Sequence, residues 1–579
     1  MASRKRGVNW RLGVVITVIA VATLVIVARL VQLQIMDHDY YAAEARNIHV
    51  AQETVTGRRG ALLDRNGYPL AASKNTYDVM VEVKAWESVT KAREAAGVIS
   101  SITNGDPTKM VSDVREASIY EIAVARDLNY EAASRIRELG LAGVRLLKSN
   151  VRVYPEGNLA AQLLGFVGRD NTGLTGLEAD LDEIIGGARG TVVFERDGLG
   201  NQIALGDRSE LPPLLGSDVV LTIDRFIQRM AEQELDKAIK NHKASGGTII
   251  VVQPETGAIL AMASRPTFDL TKLDLSDESK LALFRNRAIT DQYEPGSVFK
   301  LVTMAAAIDL GLVTPDTWWY DEGVFPVSGW SIRNWDLSAN GSQTVTQILA
   351  KSLNTGAAWL SQQVGSEEFY DYVYRFGFGE PTGSGLSGEV GGRIRTPEND
   401  PSNWRPVDMA TNSFGQGISV TPLQMAMAVA ALANDGKLMK PMLVKEIIGP
   451  NGTQTSEPEV IRQVVSPETA RTLLDMMGVV VQGLSPSFLD IQGYQVGGKT
   501  GTANIASGGG YKETAYISSF AGVAPLEDPQ IVVMVKIDEP KGLPWGTVVA
   551  APAFDRIAQE ALAYFKIAPQ EPVLVSEIR

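Results

Sequence analysis

Leu12 to Ala28 is an unbroken run of apolar and small residues, interrupted by Arg29 and continued less purely from Leu30 to Met36. With Arg29 reaching out to the interface, Leu12 to about Leu33 predicts one bilayer-spanning helix. Beyond it the pattern is mixed. Gly57 to Gly67 reads as a strand bracketed by glycine turns, Tyr77 to Val83 alternates like a strand, and Tyr130 to Leu139 has helical spacing. Pro212-Pro213 ahead of Gly216 marks a boundary. Past it, Asp224 to His242 predicts an amphipathic helix opened by its aspartate. Gly247 to Gln253 and Ala258 to Ser264 are apolar strands joined by the turn Pro254-Glu-Thr-Gly257. A long, mostly helical stretch runs from about Leu281 to Gly478. Strand patterns return at Tyr494 to Ile505, Tyr516 to Val523 and Ile531 to Asp538, and Pro552 to Phe565 closes as a helix. The expectation is an α+β protein with an anchor at 12–33 and an extended, non-catalytic pedestal at 34–215. A domain follows at 216–567, its antiparallel five-stranded sheet split by a helical insertion, with tails at 1–11 and 568–579.

Charge orients the anchor. Arg4, Lys5, Arg6 and Arg11 precede it, and Asp37 and Asp39 follow it. This predicts a single pass through the cell membrane, with the N-terminus cytoplasmic and the remainder outside. The alternative, a cleaved signal peptide, is opposed by the length of the run and by the lack of a small-x-small site after it. The chain of 579 residues carries a formal charge of −13, three histidines and no cysteine. Disulfides, thiolate metal sites and cysteine nucleophiles are thereby excluded, and the acidic balance speaks against nucleic acid as a partner. His38, His49 and His242 lie in no recognisable motif. An activated serine in this chain is therefore expected to use lysine as its base.

Tyr293-Glu-Pro-Gly-Ser-Val-Phe-Lys300 supplies that pair. Pro295 and Gly296 stop one segment and a buried helix follows to Leu310, so Ser297 and Lys300 share a face at its start. A helix start also offers backbone N–H groups to a developing oxyanion. Ser-x-x-Lys is a weak pattern by itself, since Ser88-Val-Thr-Lys91 repeats it without a Pro-Gly stop. Two further motifs corroborate it. Ser352-Leu-Asn354 interrupts apolar helix, and Lys499-Thr-Gly-Thr502 opens a strand, with Thr500 and Thr502 on one face and Gly501 leaving room for close approach by an extended substrate. Arg59, Asp64, Arg152 and Glu178, all in the pedestal, read as structural ion pairs.

Ser-x-x-Lys, Ser-x-Asn and Lys-Thr-Gly in this order form the signature shared by penicillin-binding proteins and serine β-lactamases. The chain resembles the class B penicillin-binding proteins, the D,D-transpeptidases of peptidoglycan synthesis. Arg59 to Gly67, Arg152 to Pro155, Ser413 to Gln424 and Ser519 to Pro525 are similar to further blocks of that family. The departures are Val298, where threonine or serine is usual, and Leu353, at a position that varies.

The resemblance implies that Ser297 attacks a D-Ala-D-Ala carbonyl, that Lys300 takes its proton, and that Ser352, oriented by Lys499, relays a proton to the leaving D-alanine. Asn354 would hold the peptide amide. The backbone N–H groups of Ser297 and Thr502 would form the oxyanion hole, and Thr500 and Thr502, beside Gly501, would bind the terminal carboxylate. No cofactor or metal is implied. The implied partners are peptidoglycan stem peptides, β-lactam antibiotics, a membrane glycosyltransferase that polymerises lipid II, and other division or elongation proteins. Septal synthesis is favoured by the Ala71 to Tyr77 stretch and by the lack of long insertions. The alternatives are an elongation-type transpeptidase, a D,D-carboxypeptidase, or a penicillin sensor or scaffold without turnover. A β-lactamase is opposed by the anchor and the large pedestal.

Overall fold

The computed structural model describes residues 6–41, 50–55, 57–188, 190–195, 203, 208–507 and 510–569. The chain forms two compact units that are interleaved along the sequence. One comprises Met1–Arg58, Asn75–Asn150 and Gly187–Leu214; the other comprises Arg59–Lys74, Val151–Gly186 and Leu215–Arg579. Two stretches assigned to the pedestal from sequence, 59–74 and 151–186, thus pack with the second unit.

The first unit contains α1 (Arg6–Val31), followed by a wider turn at Gln32–Met36. Trp10 to Met36 contains an 18-residue window with a mean hydropathy of 2.8 and is long and apolar enough to cross a membrane. Elsewhere in this unit a small core gathers Val79, Val81, Trp86, Ile99, Met110 and Val114. Ser88 precedes a helix at Val89–Thr103 and Lys91 is exposed, so the spare Ser-x-x-Lys lies on an ordinary helix start.

The second unit is built on a five-stranded sheet. Its framework is α2 (Arg225–His242), β1 (Gly246–Gln253), β2 (Ala258–Arg265), α3 (Lys300–Asp309), α4 (Val345–Ala350), α5 (Asn354–Val364), β3 (Gly497–Ser507), β4 (Gly510–Ala524), β5 (Ile531–Asp538) and α6 (Ala551–Tyr564). The sheet order is β2-β1-β5-β4-β3, and every pairing is antiparallel. This is the split sheet expected from sequence. β1 and β5 are buried along nearly their whole length and mostly apolar, because both faces are covered; Thr248, Lys536 and Asp538 are the buried polar exceptions. Ile249, Val251, Val533 and Val535 meet Ile227, Leu235, Phe554 and Ile557 of α2 and α6. The alternate residues Ile250, Val252, Val532 and Met534 join the core that contains Val298, Phe299 and Leu301 at the start of α3. Asp224 caps α2, accepting from the backbone N–H groups of Phe226 and Ile227.

Two readings are corrected. The run from Gly57 to Gly67 holds only a two-residue strand, Leu62–Leu63, because Asp64 folds the next residues into a turn by accepting from Asn66 N and Tyr68 N. The insertion is not wholly helical either. Trp318–Asp321 pairs with Gly341–Thr344, Val324–Val327 with Trp330–Arg333, and Lys437–Met439 with Val460–Gln463.

Within the second unit, Glu178 is fully buried between two guanidinium groups. Arg59 Nε lies 2.6 Å from Oε2 and Arg152 Nε 2.6 Å from Oε1. Arg59 also reaches Asp182, and Arg152 donates to the Gly60 carbonyl. Asp64 stands outside this network: one of its oxygens makes the turn contacts and the other accepts from Arg225 N.

Candidate active site

Each motif residue is delivered by a break in regular structure. Gly296 has φ of +57°, a conformation glycine adopts without strain, and Gly296–Phe299 form one tight 3-10 turn before α3 begins at Lys300. Ser297 therefore sits on a 3-10 turn leading into the helix, where the sequence suggested the helix's own first turn. Ser352 occupies the joint between α4 and α5 with φ of +58°, a left-handed conformation uncommon outside glycine. Lys499 lies on the edge strand β3, facing the buried side.

These breaks bring three of the four predicted catalytic side chains into contact. Lys300 is fully buried, and its Nζ donates to the Ser352 carbonyl (2.6 Å), Ser352 Oγ (3.2 Å) and Asn354 Oδ1 (2.9 Å). Lys499, also buried, donates to Ser352 Oγ at 3.0 Å and to its neighbour's carbonyl, Thr500 O, at 3.2 Å. One hydroxyl thus lies between two amines. Ser297 is half-buried, and among the described residues its hydroxyl makes no hydrogen bond.

Two ammonium groups cannot share this enclosure cheaply. Burial, and next the charge of Lys499, hold Lys300 well below the ordinary lysine range. Burial brings Lys499 down to about 7. An ammonium would fill all three acceptors around Lys300. The neutral amine donates to two and keeps a lone pair that can accept the Ser352 hydroxyl proton. Lys300 and Ser352 can therefore exchange protons without either leaving its place.

The serine turn is strapped from behind by 413–420, a segment quoted above only for its resemblance. Gly296 N donates to Gly415 O (3.1 Å), Tyr293 and Val420 exchange two backbone bonds, and Thr303 Oγ1 donates to Ser413 O (2.7 Å). Glu294 Oε1 accepts from Gly417 N at 3.0 Å and from the Tyr511 hydroxyl at 3.3 Å, and burial raises its carboxyl above the usual range. A side chain on Gly415 would meet Gly296 O at 2.3 Å, so the strap and the turn touch backbone to backbone. Sequence reasoning missed Glu294 and Gly415 as contacts; the glycines of the Ser413 to Gln424 block were the available signal.

The Lys-Thr-Gly strand departs from its expected use in one respect. A Cβ at Gly501 would lie 2.4 Å from Ser519 Oγ, 2.9 Å from Pro295 O and 3.0 Å from Val298 Cγ2. The space is taken by Ser519 of β4 and by the serine turn, which explains the glycine through internal packing. Thr500 and Thr502 are half-buried on the opposite side of the strand. Thr502 Oγ1 already accepts from Gly546 N at 3.3 Å. Among the described residues no cluster of histidine and carboxylate side chains could hold a metal ion.

Comparison with known proteins agrees with this arrangement. Residues 247–559 match the penicillin binding protein transpeptidase domain, and residues 54–221 match the penicillin-binding protein dimerisation domain. The chain belongs to the family of penicillin-binding proteins with a transpeptidase domain. It is similar to stage V sporulation protein D of Bacillus subtilis, with 36% identity over 89% of this chain and 79% of the relative. It is also similar to the peptidoglycan D,D-transpeptidase FtsI of Escherichia coli, with 30% identity over 97% of this chain and 93% of the relative. Among solved structures it is similar to penicillin binding protein 3 of Mycobacterium tuberculosis complexed with ampicillin. That likeness has a TM-score of 0.67 and 28% identity, and it covers 90% of this chain and 99% of that one.

Proposed function

We propose that this chain is a membrane-anchored serine D,D-transpeptidase that cross-links peptidoglycan stem peptides and is a target of β-lactams. The observation that carries the reading is the contact of Lys300, Ser352 and Lys499 in one buried cluster beside the serine turn. Ser297 Oγ attacks the carbonyl between the two terminal D-alanines. Lys300, held below the ordinary lysine range by burial and by Lys499, accepts the proton in its neutral form. Ser352 Oγ passes a proton to the departing D-alanine amine and is resupplied by the lysine pair that flanks it. The backbone N–H groups of Ser297 and Thr502 stabilise the oxyanion, and Asn354 binds the amide of the stem peptide. Thr500 and Thr502 receive the terminal carboxylate along the strand carrying Gly501. An acceptor amine then attacks the acyl-enzyme carbonyl, loses its proton and displaces Ser297, leaving the cross-link.

The anchor supports a single-pass topology with the catalytic unit outside the cell membrane, given the basic residues before it and the acids after it. The domain limits 34–215 and 216–567, docking to a lipid II-polymerising glycosyltransferase and a septal role belong to the same proposal. They rest on the resemblance and on the relatives reported above.

The direct test supplies the purified protein with a donor pentapeptide ending in D-Ala-D-Ala and a second stem peptide bearing a free amine. Released D-alanine matched by cross-linked dimer is the expected result. Release matched only by shortened donor would make the protein a carboxypeptidase, and no release would leave the sensor reading.

A further inference from the structure

Asp321 is fully buried and no cation pairs with it among the described residues. Its charge is carried by five converging donors. Oδ1 accepts from Gly323 N (2.9 Å) and Thr355 Oγ1 (2.9 Å); Oδ2 accepts from Asn334 Nδ2 (2.7 Å), Asn340 N (3.1 Å) and Asn340 Nδ2 (2.9 Å). Burial opposes the charge, but the bonds from Asn340, Gly323, Thr355 and Asn334 outweigh it and hold the carboxyl below its ordinary range. A buried carboxylate satisfied so fully is costly to assemble and calls for a reason.

The reason lies one bond further on. α5 begins at Asn354, and the residue before it, Leu353, provides no side-chain cap. The cap comes from the neighbouring hairpin: Asn334 Oδ1 accepts from Asn354 N (3.0 Å) and Thr355 N (3.3 Å). Asn334 can present that oxygen only while its NH2 is held the other way, and Asp321 Oδ2 and the Ser338 carbonyl hold it. The same hairpin places the Arg333 carbonyl 3.3 Å from Asn354 Nδ2, which turns Asn354 Oδ1 toward Lys300 Nζ. Asp321 thus anchors a chain of oriented bonds that runs through Asn334 to the backbone N–H groups of Asn354 and Thr355, beside the Arg333 carbonyl that holds the Asn354 side chain.

We propose that Asp321, acting through Asn334 and Thr355, is the positioning residue that sets the direction of the Asn354 amide and so the recognition of the substrate's peptide amide. This rests on the reading of Asn354 given above. An asparagine at 321 would aim an NH2 at donors on one side of the hub, leaving buried N–H or O–H groups facing it unpaired. Thr355→Val is a gentler break, since it removes one donor at constant volume.

The test compares acylation by benzylpenicillin, which carries an acylamino side chain, with acylation by 6-aminopenicillanic acid, which lacks the acyl group. Asp321→Asn is expected to lower the ratio of the two rates about tenfold and Thr355→Val about threefold, the scale of losing charged or neutral hydrogen-bond alignment. A fall of both rates in proportion, with the ratio unchanged, overturns the proposal by making Asp321 merely structural. Asn354→Ala is the control. If it lowers the ratio and the Asp321 and Thr355 variants do not, the positioning proposal alone fails; if it leaves the ratio unchanged, the role of Asn354 fails and takes the proposal with it. If Asp321→Asn does not fold, the ratio in Thr355→Val decides.

Discussion

Lys300→Met leaves a folded protein that reacts with penicillin between about a hundredfold and ten-thousandfold more slowly, the range expected when a general base is removed. Methionine matches the length of lysine but carries no lone pair able to take the serine proton. Arginine would be a poorer test, because its larger planar group must enter a fully buried position among Ser352 and Asn354. The same residue fixes a pH dependence. The neutral fraction of Lys300 grows as pH rises through its lowered pKa, so acylation has an acid limb. Lys499→Met removes the like charge that helps depress Lys300 and should move that limb to higher pH. Stability follows with a definite sign. An unfolded lysine keeps its proton up to about pH 10.4. Over the window between the lowered folded pKa and that value the unfolded state binds more protons, so stability rises with pH. Lys300→Met escapes this cost and should melt higher than wild type at pH 7, with the gap closing toward pH 10. Stopped-flow acylation and thermal melts at several pH values check both. Wild-type acylation in the variant would make Lys300 structural.

Glu178→Ala is expected to cost roughly 3–5 kcal/mol, the scale of removing one partner from a buried ionic cluster. The loss strands Arg59 and Arg152, both nearly inaccessible to solvent, without the carboxylate that each contacts at 2.6 Å. Asp182 offsets only part of this, since it meets Arg59 alone. Among the described residues, Arg152 Nη2 has no hydrogen-bond partner even with Glu178 in place. Denaturant unfolding followed by tryptophan fluorescence should show the shift, with Glu178→Gln falling between wild type and alanine. A change below about 1 kcal/mol, typical of exposed pairs, would mean that water reaches the cluster.

The five-strand sheet was legible because β1, β2 and β5 are mostly apolar on both faces, because β3 and β4 show strand-like patterns, and because turn residues bound them. Ser297, Lys300, Ser352, Asn354 and Lys499 were legible because each lies at a break in an apolar pattern, where a polar side chain stands out. Asp321 and Asn334 were not. They belong to strands and turns of a few residues, such as Trp318–Asp321 and Trp330–Arg333, whose composition resembles a surface loop. Their meaning arises from pairing across the fold, which no local pattern encodes. Gly501 was read as space for a substrate because the chain alone does not reveal that Ser519, Pro295 and Val298 occupy that space. Arg59, Arg152 and Glu178 were recognised as ion pairs; they lie within residues 54–221, which match the dimerisation domain, and they pack in the unit that holds the sheet. Asp64 was grouped with them by composition, and it makes a turn instead.

The proposed mechanism makes Ser297 the nucleophile served by the Lys300–Ser352–Lys499 cluster. Treating the full-length protein with benzylpenicillin, digesting it and locating the adduct by mass spectrometry tests this most directly. A single penicilloyl group is expected on the peptide containing Ser297, absent from Ser297→Ala. An adduct on Ser352 or Ser88, or undiminished labelling of Ser297→Ala, would contradict it.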